Sequence, residues 1–182
     1  MMGGSRMPVT TKDSIAAAFL DVASKKSIDK VTVKDVVEAC GITRQTFYYH
    51  FQDMMDVIEW SLKQHEEVLL QQSLKASSMW DALRILVSSI EDRPEIINKL
   101  MSSQKREQTQ KLLLSTARSY LREMISHQQL CSHLKHSDIE TSLTFYSCAL
   151  VGVLIENSTK RNLDLDILTD QLYRLVRGEM FS

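Results

Sequence analysis

The sequence predicts an all-α protein: an N-terminal three-helix unit containing a helix-turn-helix, followed by a C-terminal helical bundle. Three observations carry that expectation. Five glycines and two prolines in 182 residues leave few breakers, which favours long helices over a turn-rich sheet protein. Apolar residues return at three- and four-residue intervals along most of the chain. Helix-start signals recur at Thr10 with Asp13, Thr32 with Asp35, Asp53 with Asp56, Ser78 with Asp81 and Ser137 with Glu140. Each pair sets a capping oxygen before a helical run and an acid in its first turn, where orphan amides and the helix dipole favour both.

The elements follow in order. A first helix over 10–26 carries Ile15, Phe19, Val22 and Ala23 on one face. Short helices over 33–39 and 43–49 flank Gly41. A fourth helix over 54–74 carries Val57, Ile58, Trp60, Leu62 and Leu69. Helices over 79–91 and 94–101 come next, the second opened by Pro94, a residue suited to the first helical turn. A helix over 105–128 repeats Leu113, Ala117, Tyr120 and Met124 at helical spacing. Two more are expected over 138–158 and 164–179. The resulting domains are 1–53, with residues 1–8 expected to be disordered, and 54–182.

Composition bounds the function. The net charge is −1, and residues 1–53 hold seven basic side chains against six acidic ones, so charge alone does not point to nucleic acid. Three cysteines, Cys40, Cys131 and Cys148, have no regular spacing and suit a reducing compartment. The N-terminal stretch lacks an apolar core of signal-peptide length, and no run approaches the roughly 20 apolar residues a bilayer span needs. A cytoplasmic protein with no membrane partner is expected.

The informative stretch is Val31–Phe51. Val33, Val36, Val37 and Ala39 precede Cys40-Gly41-Ile42, where Gly41 permits a left-handed residue just past a helix end. Ile42 is placed to pack back into the unit, and Thr43 to cap the next helix. A helix, a short glycine-containing turn and a second helix make a helix-turn-helix, whose second helix enters the major groove by its N-terminal residues. Arg44 and Gln45 stand at the exposed start of that helix. An arginine bonds guanine bidentately and a glutamine adenine, while Thr46 offers a methyl to thymine or a hydroxyl to phosphate. Tyr49 also faces outward, whereas Phe47 and Phe51, four apart, belong to the core. A helical hairpin with no nucleic-acid role is the bland alternative.

Thr32, Val36, Gly41, Ile42, Thr43, Thr46, Phe47, Tyr48, His50 and Phe51 together resemble the signature of the TetR family of bacterial regulators. The resemblance spans the first helix to the start of the fourth. The run Arg44-Gln45-Thr46-Phe47-Tyr48 followed by Phe51-Gln52 is most similar to the subgroup that includes regulators of dihydroxyacetone kinase genes. The resemblance implies a TetR-like fold. It also implies that Tyr48, His50, Thr32 and Thr43 contact the DNA backbone. Members commonly carry a lysine three residues after the final Phe; here that position is Met54, which implies a weaker phosphate grip and a shallow salt dependence.

The C-terminal half is read with less sequence guidance. From Leu143 to Ile155 the chain is apolar on nearly every side, and such a helix must be covered all round. With the leucine seam of the last helix, this suggests a homodimer interface at Leu150, Val151, Leu154, Leu168, Leu172 and Leu175, Gly152 allowing close approach. The central helix of a monomeric bundle is the alternative. Trp80, Met101, Tyr120, Met124, Phe145 and Tyr146 are candidates for a ligand pocket, and equally for plain core.

Cys131, His133 and His136 have short spacing and no evident fourth ligand, so a solvated loop is expected there and no metal. His65-Glu66 opens like a zinc-protease motif, but Leu69 stands where the second histidine belongs. No cofactor and no enzymatic activity are expected. The expected function is a homodimeric transcription regulator, a repressor by the commoner sign, that binds a pseudo-palindromic operator in double-stranded DNA under control of a small-molecule effector or partner protein. The alternative is a protein-interaction module or co-activator whose DNA binding depends on a partner protein.

Overall fold

The computed structural model describes residues 10–92, 94–128, 135–160 and 162–180. Among the described residues the chain is helical throughout, with no strand. The order is α1 (Thr11–Lys25), a 3-10 turn (Ile28–Lys30), α2 (Val33–Cys40), α3 (Arg44–His50), α4 (Met54–Ser73), α5 (Met79–Asp92), α6 (Pro94–Met101), α7 (Arg106–Gln128), α8 (His136–Asn157) and α9 (Leu165–Val176). The chain forms two compact units, divided between Ser61 and Leu62. The division falls inside α4, beyond the expected boundary at residue 53, and the first turns of that helix bury Met54, Val57 and Ile58.

The N-terminal unit is built on two capping boxes. Asp13 N–H donates to Thr10 Oγ1 while Thr10 N–H donates to the Asp13 carboxylate. Thr32 and Asp35 repeat the exchange at the start of α2. Ile15, Phe19, Ala23, Ile28, Val36, Val37, Phe47 and Phe51 are buried. Asp53 and Asp56 cap α4 as expected: Asp53 accepts from Met55 and Asp56, and Gln52 N–H donates to Asp56.

In the C-terminal unit α8 packs against α7, α5 against α9, and α6 against α7. One buried cluster joins Val87, Ile90, Leu165 and Leu172, with Val153, Leu154 and Leu168 packed on it. Another joins Leu69, Leu86 and Tyr120, and the Tyr120 hydroxyl donates to the buried Ser73 Oγ at 2.7 Å, tying α7 to the end of α4.

Two boundaries differ from expectation. Ser137 does not cap α8, which begins a residue earlier at His136 with Lys135 before it. The acid that would have completed that cap, Glu140, instead binds Arg118 at 2.6 Å and Arg122 at 2.9 Å on α7. Arg122 and Arg118 together hold the Glu140 carboxyl down at about 2. The final helix stops at Val176, short of 179, because Gly178 takes a left-handed φ of 74° and Glu179 N–H folds back to Arg174 O. Cys131 and His133 lie outside the described residues, and His136 is the first residue of α8.

The apolar stretch within α8 also differs from expectation. By length and mean hydropathy, 1.3 over its most apolar window, α8 is long and apolar enough to cross a bilayer. Its pattern is that of a helix with two apolar faces. Leu143, Ser147 and Val151 are buried, whereas Phe145, Cys148, Ala149 and Gly152 are exposed.

Candidate nucleic-acid interface

Gly41 governs the geometry of the site. Its φ of 69° turns the chain out of α2, and Ile42 N–H closes the turn on Val37 O at 3.1 Å. Thr43 then starts α3, its Oγ1 accepting from Thr46 N–H at 3.1 Å and lying 2.9 Å from the Thr46 hydroxyl. A turn fixed at Gly41 and a cap fixed at Thr43 set the direction of α3.

That outer face is polar and open. Thr43, Arg44 and Gln45 are exposed, Thr46 and His50 half-buried. Tyr48 is 57% exposed and Tyr49 85%, large values for aromatic rings in a folded unit. Phe47 is fully buried and Phe51 nearly so, their rings 6.0 Å apart, with Tyr48 edge-on to Phe47 at 5.4 Å. The inner face therefore anchors the helix while the outer face presents guanidinium, amide, hydroxyl and phenol groups.

Thr32 is exposed at the start of α2 with its hydroxyl engaged by Asp35. The Asp35 carboxyl sits far below the usual carboxylate range because Lys26 lies 2.5 Å away, reinforced by the Thr32 hydroxyl and amide. Met54 is buried at 8% exposure, so its position offers no cation to a phosphate. The other residues expected at the interface all lie on α3 or at its cap, each exposed or half-buried.

The remaining expectations are redistributed. A cavity of about 120 Å³ lies in the C-terminal unit, and of the six aromatic and methionine candidates only Tyr120 lines it. Trp80, Met101 and Met124 are half-buried and do not line it, Met124 packing on the cluster of Leu69, Leu86 and Tyr120 behind the wall, while Phe145 is 66% and Tyr146 36% exposed. The walls are aliphatic instead, with Leu150, Val151 and Leu154 among them. The seam assigned to a dimer interface thus points largely inward. Val151 and Leu172 are buried within the chain, Leu150, Leu154 and Leu168 half-buried, and Leu175 alone is exposed. A helix apolar on both sides has no phase from which sequence can choose the inner one. Glu66 was missed as a lining residue. Lys63, Gln64, His65 and Glu67 surround it in the chain, so no local pattern marked it.

A left-handed glycine turn, a capped short helix with an anchored inner face and an outer face of hydrogen-bonding groups define a helix-turn-helix module. The chain matches "Bacterial regulatory proteins, tetR family" over residues 15–59 and "Transcriptional regulator C-terminal region" over residues 78–178. The chain belongs to the TetR family of transcriptional regulators. It is 22% identical to the HTH-type dhaKLM operon transcriptional activator DhaS of Lactococcus lactis, across 94% of this chain and 91% of that protein. The solved structure of a dihydroxyacetone kinase operon activator DhaS superposes with a TM-score of 0.68 at 20% identity, covering 94% of this chain and 97% of that one. A Listeria innocua protein, Lin0861, superposes with a TM-score of 0.72 at 13% identity, covering 95% and 96%. These structures establish the shared fold.

Proposed function

We propose that this regulator binds a pseudo-palindromic operator as a homodimer and answers to an effector held in its C-terminal bundle. The observation that carries the proposal is the exposed leading edge of α3. Arg44 and Gln45 stand clear of the core at the end of the helix that enters a major groove in helix-turn-helix proteins. Two such helices in a two-fold dimer read half-sites one helical turn, or a small multiple of it, apart.

α4 supplies the coupling. It runs unbroken from Met54 to Ser73, so its first turns belong to the N-terminal unit while Leu62, His65, Glu66 and Leu69 line the cavity. An effector that binds one placement of α4 better than another shifts the population toward the state that fits, or misfits, successive grooves. Repression is the sign that the resemblance to the family implies. The name of the Lactococcus lactis relative, a transcriptional activator alike over nearly the whole chain, favours activation, and activation is the sign adopted here. The buried Met54 supports a shallow salt dependence of binding.

A gel-shift titration with the DNA flanking its own gene tests the proposal. The purified protein is expected to retard a specific fragment at physiological salt. Arg44→Ala should weaken that complex by about 1–3 kcal/mol and relax preference at one base position. Equal losses on specific and random DNA would place Arg44 on phosphate and remove the base-reading assignment. Binding that appears only after a second protein is added would favour the partner-dependent co-activator instead.

A further inference from the structure

We infer that the bundle cavity receives a compact aliphatic amine whose ammonium group is held by Glu66. The inference deepens the reading of the C-terminal unit as a sensor and rests on it. The cavity is small, about 120 Å³, and its walls are mostly carbon, from residues such as Leu62, Leu69, Leu113 and Ile155. An engineered apolar cavity of about 150 Å³ accepts benzene, so the body of the occupant is on the order of five or six heavy atoms.

Three of the four hydroxyls on the wall are committed to the fold, that of Thr116 being the fourth. The Tyr120 hydroxyl donates to Ser73, the Ser89 hydroxyl to Leu86 O, and the Ser158 hydroxyl to Asn98 Oδ1 and Ile155 O. His65 Nε2 lies 3.6 Å from the Asp92 carboxylate. Glu66 is different. It receives a hydrogen bond from Ser119, but burial pushes its carboxyl up, and the neighbouring charges of Glu67 and Glu123 add to the push against Lys63 alone. A partly desolvated carboxylate among like charges gains most from a cation that arrives with an apolar body. An anionic ligand would add a further negative charge beside three carboxylates. A small polyol would bury several hydroxyls against aliphatic walls that offer them few partners.

Calorimetric titration of the full chain, without DNA, with isopentylamine, isopentanol and isovalerate tests the assignment. The three share one carbon skeleton and differ in the charge of the polar end. The amine is expected to bind at least tenfold more tightly than the alcohol, and isovalerate most weakly. Glu66→Gln should cost the amine at least tenfold and leave the alcohol unchanged. Ala117→Phe, which fills the cavity, should remove binding of both. An alcohol that binds as well as the amine, no binding by any of the three, or a folded Glu66→Gln that keeps full amine affinity overturns the inference. If Glu66→Gln does not fold, the amine-to-alcohol ratio of the native chain and the loss in Ala117→Phe decide the matter. Amine binding that leaves DNA affinity unaltered supports the ligand class and overturns only the coupling to DNA. Operator binding by a protein that ignores the amine overturns the ligand class alone.

Discussion

A carboxyl group on an aliphatic wall is easier to protonate than one in water, and Glu66 has its pKa raised by burial above the ordinary 4.5. The sign for stability follows from linkage. Below the ordinary value both folded and unfolded chains hold the proton, and Glu66 carries no penalty. Above the raised folded value both are ionised, and the folded state alone bears the desolvation. Glu66→Gln is therefore expected to raise the melting temperature at neutral pH, with a gain that shrinks as pH falls toward the ordinary carboxylate value. Paired melting curves from neutral to mildly acidic pH check it; a constant difference between variant and parent would place the effect elsewhere. Arg44, Gln45 and Tyr49 were legible as exposed residues because a cap and an aromatic pair four apart fix the phase of a short helix, whereas Tyr48 came only through the resemblance to the family. Glu66 was not, because a failed metal motif was the only pattern in which it stood, and partial burial on a long helix leaves no mark in sequence.

Local chemistry set most element boundaries. Thr10, Thr32, Asp53 and Ser78 each cap a helix with the acid three residues on that the spacing called for. Ser137 failed because Glu140 found two arginines on α7, a tertiary partner no local rule contains. The 3-10 turn at Ile28–Lys30 had no expectation behind it, being held by its own backbone bonds from Lys30 N–H to Ser27 O and Val31 N–H to Ile28 O. The helix-turn-helix depends on its glycine for backbone reasons alone. A methyl group built at Gly41 meets nothing within 4 Å, so Gly41→Ala would lose stability through the left-handed φ of 69° and not through a clash. The expected loss is about 1–2 kcal/mol, read as a lower denaturant midpoint at unchanged slope. Gly41→Asn should lose less, since asparagine tolerates that conformation better. Equal losses for the two variants would point to a packing cause.

At the scale of the whole molecule, the sequence showed that α8 needed cover on more than one side, but it did not show which side was already covered. Leu143, Ser147 and Val151 are covered by the chain itself, whereas Phe145, Cys148, Ala149 and Gly152 form a second stripe at the same three- and four-residue spacing and remain exposed. On α9, Ile167, Leu175 and Val176 are exposed at 58%, 43% and 39%. An apolar stripe of this extent, on a regulator proposed to read two half-sites, fits a second copy of the same chain, with Gly152 and Ala149 allowing the two α8 helices to approach closely. Substitutions on the two stripes should then part ways. Gly152→Arg or Phe145→Glu is expected to leave the monomer folded, as judged by its melting transition, while sedimentation shows half the native mass and operator retardation is lost. Val151→Asp buries a charge in the chain's own core and should lower the melting temperature first, whatever the oligomeric state. A Gly152→Arg protein that sediments as the native protein does would move the interface off this stripe, and the half-site geometry proposed for α3 would then need another way to bring two reading helices together.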